Sequence, residues 1–153
     1  MKKIITLFII LFFTHGCGYT PLYKNNKSNN LKFYFEIIEE NGDTEINNYI
    51  ISNLNKYLET NQDHKYEIKI NTNFTQSGIS NNKQGETTAY TLAVNAEFDV
   101  YQKNKSNKIT LNEKININRS NDTFEQKNYE LKIKRDISKI IVDKFINRLL
   151  TLE

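Results

Sequence analysis

The stretch from Tyr90 to Val100 carries the clearest structural signal in the chain. Every second residue is apolar, and the residues that share this face are Tyr90, Leu92, Val94, Ala96, Phe98 and Val100. Successive side chains of a β-strand point to opposite faces, so this alternation predicts a strand with one buried face and one solvated face. One-sided burial is typical of antiparallel sheets, so further strands and a covering layer are expected.

Three further segments alternate in the same way and are predicted to be strands. Their inward residues are Leu31, Phe33, Phe35 and Ile37 in the first, Tyr66, Ile68, Ile70 and Phe74 in the second, and Ile109, Leu111, Ile115 and Ile117 in the last. Polar or glycine-containing segments separate the elements. These segments predict turns or loops at 39–42, 61–64, 76–85 and 103–107.

Two segments have helical periodicity instead. The first is expected to begin after Asp43, a residue type that caps helices, and to end near Glu59. The second is expected to begin with a capping box of Thr123 and Gln126 and to run to the C-terminus. Their apolar stripes are Ile46, Tyr49, Ile50, Leu54, Tyr57 and Leu58 in the first, and Ile133, Ile137, Ile140, Ile141, Phe145 and Leu149 in the second.

The resulting order of elements is β-α-β-β-β-α. Four strands with one apolar face each, and two helices with one apolar stripe each, pack most simply in two layers. We therefore predict an α+β domain over 31–153: a two-layer sandwich of a four-stranded, mainly antiparallel sheet with both helices on one face.

The N-terminus has the organisation of a signal peptide. Lys2 and Lys3 precede a mostly apolar run at 4–13. As a helix this run is about 15 Å long, roughly half of a bilayer's hydrocarbon core, so it is too short to span a membrane. Residues 1–16 are therefore predicted to be a leader that is cleaved between Gly16 and Cys17.

Cys17 is the single cysteine of the chain and directly follows Gly16. This pair resembles the end of the bacterial lipobox, although Thr14 and His15 depart from its usual residues. The resemblance implies that Cys17 carries a diacylglycerol thioether and an N-acyl chain such as palmitate, which together would anchor the chain permanently. The alternative is an incidental cysteine in an ordinary leader. In the lipoprotein interpretation, residues 17–30 are the lipidated N-terminus and a polar tether between the lipid and the folded domain.

Several functional classes are disfavoured by composition. Of 21 basic side chains, Lys2 and Lys3 leave with the leader, so 19 remain against 18 acidic ones. This balance gives no support for nucleic-acid binding. The histidines are His15 and His64, so no metal-ligand cluster is expected. No nucleophile–base pair or phosphate-binding loop is present either, and we predict no enzyme, no catalytic residue and no cofactor beyond the lipid.

The predicted outer face of the sheet leaves two interpretations open. It carries Tyr34, Lys69, Thr91 and Tyr101, and such a face is either simply solvated or docks a partner. The tether is also unusually aromatic for a linker, because Tyr19 and Tyr23 flank Pro21 and Leu22 in the motif that follows Cys17.

The motif from Cys17 to Tyr23 resembles the start of mature LptE lipoproteins, particularly those of alphaproteobacteria. The stretch 88–101 and the C-terminal segments 136–141 and 147–150 are similar to the central strand and closing helix of that family. The resemblance implies a non-enzymatic lipoprotein of the outer membrane that faces the periplasm or lies in the lumen of the LptD β-barrel. There it would act as plug and assembly partner in lipopolysaccharide transport.

The resemblance also implies contacts with the barrel or with lipopolysaccharide, although it does not specify them. Candidates near the anchor are Tyr19, Pro21 and Tyr23, and candidate cations for lipid phosphates are Lys69, Lys83, Lys114 and Arg119. Surface solubility is the alternative explanation for each cation. For the protein as a whole, the alternative is a lipid-anchored periplasmic module that binds a small apolar ligand between sheet and helices.

Overall fold

The computed structural model describes residues 34–58, 65–103 and 105–151, so the leader, the tether and the predicted turn at 61–64 lie outside the described residues. The predicted order of elements is confirmed. It comprises strands β1 (Tyr34–Gly42), β2 (Lys65–Asn81), β3 (Thr87–Gln102) and β4 (Lys105–Asn118), helices α1 (Thr44–Leu54) and α2 (Thr123–Leu149), and a 3₁₀ turn at Asn55–Tyr57.

The sheet has the strand order β1-β2-β3-β4. β3 pairs antiparallel with both of its neighbours, whereas β1 and β2 are parallel. Parallel strands need a crossover connection, and α1 lies in that connection here. The prediction of a mainly antiparallel sheet is therefore correct, with one parallel pair at its edge.

Both helices cover the same face of the sheet and also contact each other. The inward residues of adjacent strands lie side by side, as in the row Ile70, Phe98 and Ile109. Phe145 of α2 stacks on Phe98 with ring centroids 4.3 Å apart. The fully buried side chains of this core are Ile46, Ile50, Ile68, Leu92, Ala96, Phe98, Ile137, Ile141, Val142 and Phe145.

The turn predicted at 39–42 is wrong, because β1 continues to Gly42. A bulge at Ile38 interrupts the alternation, and beyond it Glu39 pairs with Lys69. Because of the extra residue, the side chains that follow it no longer continue the alternation of apolar and polar residues. The sequence pattern therefore looks like the end of a strand. Gly42 has φ 94°, and a Cβ there would lie 1.7 Å from the carbonyl oxygen of Thr72, so the chain turns towards α1 only with glycine.

The two predicted hairpin loops are shorter than expected. β2 extends to Asn81, and the turn comprises only 82–86, where Asn82 Oδ1 accepts hydrogen bonds from the backbone N–H groups of Gln84 and Glu86. In the second hairpin, Gln102 pairs directly with Lys105. Both corrections have the same cause. The ends of these strands are paired but are not covered by a helix, so they need no apolar residues. Hydrophobic alternation therefore does not reveal that the strands continue.

The helix boundaries also differ from prediction. α1 ends at Leu54 instead of near Glu59. The cap of α2 is Asp122, whose Oδ1 accepts from the N–H groups of Phe124 and Glu125, and Thr123 is already helical. The Gln126 side chain reaches back, but to the N–H of Ser120. The predicted cap of α1 is confirmed, because Asp43 Oδ1 accepts from the N–H of Ile46 at 2.9 Å.

Candidate docking surface

The outer face of the sheet lies opposite both helices and is formed by all four strands. Strand register places Tyr34, Lys69, Thr91 and Tyr101 on this face, as the sequence predicts. Its residues change in character along the strands. We therefore distinguish a charged end, where β1 begins, from a central region without ion pairs.

At the charged end, lysines and glutamates of neighbouring strands neutralise one another. Their side chains are between a third and three-fifths exposed, and exposed ion pairs contribute little to stability. What they do change is the net charge that the face presents. The nitrogen–oxygen distances are 2.5 Å for Lys65–Glu36, 3.3 Å for Lys65–Glu67, 2.7 Å for Lys69–Glu39 and 2.9 Å for Lys108–Glu97.

The ionisation of these groups reflects the pairing. Hydrogen bonds from Lys69 and then Asn41, with the nearby Lys69 charge, lower the pKa of Glu39. The same contact raises the pKa of Lys69, and bonds to Glu36 and Glu97 raise the pKa of Lys65 and Lys108. An open, polar depression of about 400 Å³ lies among these residues. The lysines are therefore held as cations with their charges already balanced.

The central region is polar and carries a single charged side chain, Lys114. It comprises residues of β2, β3 and β4 that face outwards in register: Asn73, Thr75, Ser77, Thr91, Ala93, Asn95, Asn112, Lys114 and Asn116. Thr91 Oγ1 donates to Asn116 Oδ1 at 2.8 Å. In the row next to the charged end, Asn95 lies directly between Asn73 and Asn112. Its Oδ1 is buried and has no hydrogen-bond partner within residues 34–58, 65–103 and 105–151.

The opposite end of the domain combines the β2–β3 turn with the start of α2. A depression of about 270 Å³ there is lined by Gln76, Tyr90, Arg119 and Lys127, among others. The backbone N–H of Arg119 donates to the Thr88 carbonyl at 2.8 Å, and its Nη1 donates to the Thr87 carbonyl at 3.4 Å. Arg119 is therefore positioned by the first residues of β3, while much of its guanidinium stays accessible.

The structure does not bring the four predicted cations together. Lys69 is in its ion pair with Glu39 at the charged end, which makes it less suited to bind a phosphate than the sequence suggests. Lys114 is exposed on β4, within the central region and opposite Ala93. Lys83 is exposed in the turn at 82–86, and Arg119 lies at the same end of the domain.

The remaining predicted site residues lie outside the described residues: Gly16, Cys17, Tyr19, Pro21 and Tyr23. Their roles stay predictions. In the part of the chain that the structure describes, no group of three or more His, Cys, Asp or Glu side chains could hold a metal ion. Likewise, neither of the helices described above is long and apolar enough to cross a membrane.

Sequence reasoning missed the row of Asn73, Asn95 and Asn112 on the outer face. The alternation that places Leu92, Val94 and Ala96 inwards also places Asn95 outwards, so its face could have been assigned. Its position between two asparagines of other strands could not, because that depends on pairing register.

No protein-family model matches the chain, and no curated protein matches it in sequence. Solved structures are similar to it in fold. Rare lipoprotein B from Shewanella oneidensis matches with a TM-score of 0.58 and 11% identity, over 76% of this chain and 96% of that one. A minor lipoprotein from Acinetobacter baumannii matches at 0.50 and 12%, over 76% and 95%. Uncharacterized lipoprotein B from Nitrosomonas europaea matches at 0.50 and 13%, over 77% and 84%. At these identities the likeness shows a shared fold.

Proposed function

We propose that the chain is an outer-membrane lipoprotein that serves as plug and assembly partner of an LptD-type β-barrel in lipopolysaccharide transport. One coincidence carries the proposal: a Cys-Gly-Tyr-Thr-Pro-Leu-Tyr motif at 17–23 stands before a domain with the fold of rare lipoprotein B. The motif and the fold are independent observations, because one comes from the N-terminal sequence and the other from residues 34 onwards.

A lipid anchor at Cys17 is the first part of this proposal. The leader at 1–16 ends in Gly16, and the proteins that share the fold are named lipoproteins. Two or more acyl chains hold a protein on a membrane durably, since each buried methylene contributes about 0.8 kcal/mol. Gly18 follows the cysteine, and the absence of aspartate there favours delivery to the outer membrane.

The outer face of the domain suits a place inside a barrel. The lumen of a large outer-membrane barrel is polar, so a plug needs polar surfaces that do not leave charges unpaired when water is excluded. Lys65, Lys69 and Lys108 each have an acidic partner on the same face. The role we propose is therefore one of binding, without catalysis.

Contact with lipopolysaccharide is the third part of this proposal. Lys83, Lys114 and Arg119 are exposed and are the better candidates for its phosphates, whereas Lys69 already binds Glu39. Tyr19, Pro21 and Tyr23 lie close in sequence to the lipid and would contact the barrel at the membrane surface.

The alternative, a module that holds an apolar ligand between sheet and helices, gains no support. The layer between them is occupied by side chains such as Phe98, Ile137, Ile141 and Phe145, each 0% exposed. The depressions at the two ends of the domain are open and lined mainly by polar residues.

Co-purification from solubilised outer membranes of the native organism tests the proposed function. A C-terminally tagged, full-length chain should retain an LptD-type barrel, identified by mass spectrometry. A tagged chain that reaches the outer membrane but retains no such barrel would contradict the proposal. Native mass spectrometry of the same sample addresses the alternative, because a bound small apolar molecule of constant mass would support it.

A further inference from the structure

We infer that the free edge of β4 binds an extended, acidic segment of a partner protein, which pairs with it as a fifth strand of the sheet. This inference rests on the proposed function, which identifies the partner as the barrel protein. It adds the element of the domain that makes the contact and the backbone groups that form it.

Two hydrogen bonds determine which backbone groups of β4 point away from β3. The N–H of Arg119 donates to the Thr88 carbonyl of β3 at 2.8 Å, so the odd-numbered residues face β3. The carbonyl of Thr110 instead accepts from Nη1 of Arg148 in α2, at 3.1 Å, so the even-numbered residues face the free edge. The pairing of β4 with β3 has no register shift, and these directions alternate along an antiparallel strand.

The stretch of β4 that follows Thr110 is open. Asn112, Lys114 and Asn116 are exposed, and each directs one donor and one acceptor of its backbone to the free edge. Among the described residues, a donor from elsewhere in the domain reaches this edge only at the Thr110 carbonyl. Another extended backbone repeats donors and acceptors at the same spacing as this stretch. The edge is therefore matched to an added strand.

The opposite edge of the sheet is less suited to strand addition. β1 has nine residues and a bulge at Ile38, which interrupts the even spacing of its edge groups. It also exposes Glu36, Glu39 and Glu40, whose carboxylates would repel an acidic strand. β4 has 14 residues and no bulge. Because short length and bulges protect an edge from pairing, β4 is the edge that a partner can extend.

The charge of the β4 edge determines which strand it accepts. Lys114 lies within the open stretch and Arg148 lies beside Thr110, and neither has an acidic partner among the described residues. A second copy of β4 would bring the same cations to the same edge, which disfavours self-pairing. A carboxylate opposite Lys114 would instead form a cross-strand ion pair, and one near Arg148 a charge-assisted hydrogen bond. The edge therefore favours an acidic strand of another protein.

Lys114→Pro tests the inference, because proline removes the edge N–H and leaves the hydrogen bonds between β4 and β3 in place. Lys108→Pro is the matched control, since its N–H also faces the edge but lies beyond the Thr110 carbonyl that Arg148 occupies. Both are made in the full-length tagged chain in the native organism, and the barrel retained per tagged protein is measured. Lys114→Pro should lower it by about tenfold or more, and Lys108→Pro by less than about twofold.

Lys114→Ala distinguishes the backbone from the charge, because it keeps the N–H and removes the cation. It should lower retention of the barrel by less than about fivefold, as expected for the loss of one exposed cross-strand ion pair. Equal effects of Lys114→Pro and Lys114→Ala would mean that the side chain alone acts, and strand addition would be refuted.

Thermal denaturation of each purified variant checks folding. If Lys114→Pro unfolds, Asn116→Pro decides, compared with Asn116→Ala, because the N–H of Asn116 faces the same edge. Retention of the barrel at the wild-type level by a folded Lys114→Pro or Asn116→Pro chain would overturn the inference. So would a wild-type homodimer that Lys114→Pro dissociates, because β4 would then bind a second copy. If the wild-type chain itself retains no barrel, it is the proposed function that fails.

Discussion

Lys134 of α2 donates a hydrogen bond to Glu45 of α1, with 2.6 Å between Nζ and Oε2. The Lys134 side chain is only 16% exposed, and its ammonium lies 4.3 Å from the centre of the Phe74 ring. One cation therefore joins both helices and β2. The sequence does not reveal this contact, because 89 positions separate the two residues.

Glu45→Gln should lower the free energy of unfolding by about 1–2 kcal/mol. The change leaves a largely buried ammonium with only the Phe74 ring, although the partial exposure of Glu45 moderates the loss. Urea denaturation measures it. Glu40→Gln, the same change at an exposed position on β1, is the control, and an equal effect of both variants would show that the Lys134 contact contributes nothing specific.

Phe145→Ala should destabilise the domain by about 3–5 kcal/mol, because it removes a fully buried ring that stacks on Phe98. Phe124→Ala in the same helix is the matched control, since Phe124 is 72% exposed and its removal should change stability little. Urea midpoints of the two variants should differ clearly. Similar midpoints would mean that the layer between sheet and helices is not packed as described.

A comparison of Gly42→Ala with Gly85→Ala distinguishes the effect of a steric clash from that of backbone strain. Both glycines have positive φ, 94° and 83°, so each alanine is strained by about 1–2 kcal/mol. Only at Gly42 would the new Cβ meet the carbonyl of Thr72, whereas nothing lies within 4 Å of it at Gly85. Gly42→Ala should therefore lower the thermal midpoint much further, and equal shifts would contradict the close approach of β1 to β2.

The free energy of unfolding should fall in alkaline solution, because Tyr57 ionises there. Burial, followed by its hydrogen bond to Asp143 and the charge of that carboxylate, raises the pKa of Tyr57 to about 12. Because the folded pKa lies above the unfolded value of 10.0, the stabilisation is complete below pH 10 and is lost as pH rises towards 12.

After allowance for solvent screening the effect is about 1 kcal/mol. Tyr57→Phe should remove this component, so the stability difference between wild type and variant should shrink between pH 10 and pH 12. A difference that is constant across this range would show that Tyr57 ionises alike in folded and unfolded chains. Urea titrations at fixed pH values supply the measurement.

Cys17→Ser should abolish lipidation and leave the precursor uncut by the lipoprotein peptidase. Intact-mass measurement should show an acylated mature chain that begins at Cys17 for the wild type and an unacylated precursor for the variant. A chain with Asn128→Asp, an exposed change on α2 far from the leader in sequence, serves as a control for processing. A variant cleaved and anchored like the wild type would contradict the assignment of Cys17 as the lipid attachment site.

The sequence by itself determined which segments are strands and helices and which of their faces is buried. Leu92, Val94, Ala96, Phe98 and Val100 are buried as predicted, because alternation depends only on the geometry of one strand. The Asp43 cap is local in the same sense. The order of elements and the two-layer packing follow from these local signals.

Only the tertiary structure decided where the elements end and what meets across them. β1 passes its bulge because β2 offers a partner to Glu39, and Lys69 is neutralised by that same residue. Asn95 lies between Asn73 and Asn112 because two antiparallel registers place them there. Register depends on contacts between residues far apart in the chain, so the neighbours that each side chain has on the outer face are visible only in the folded domain.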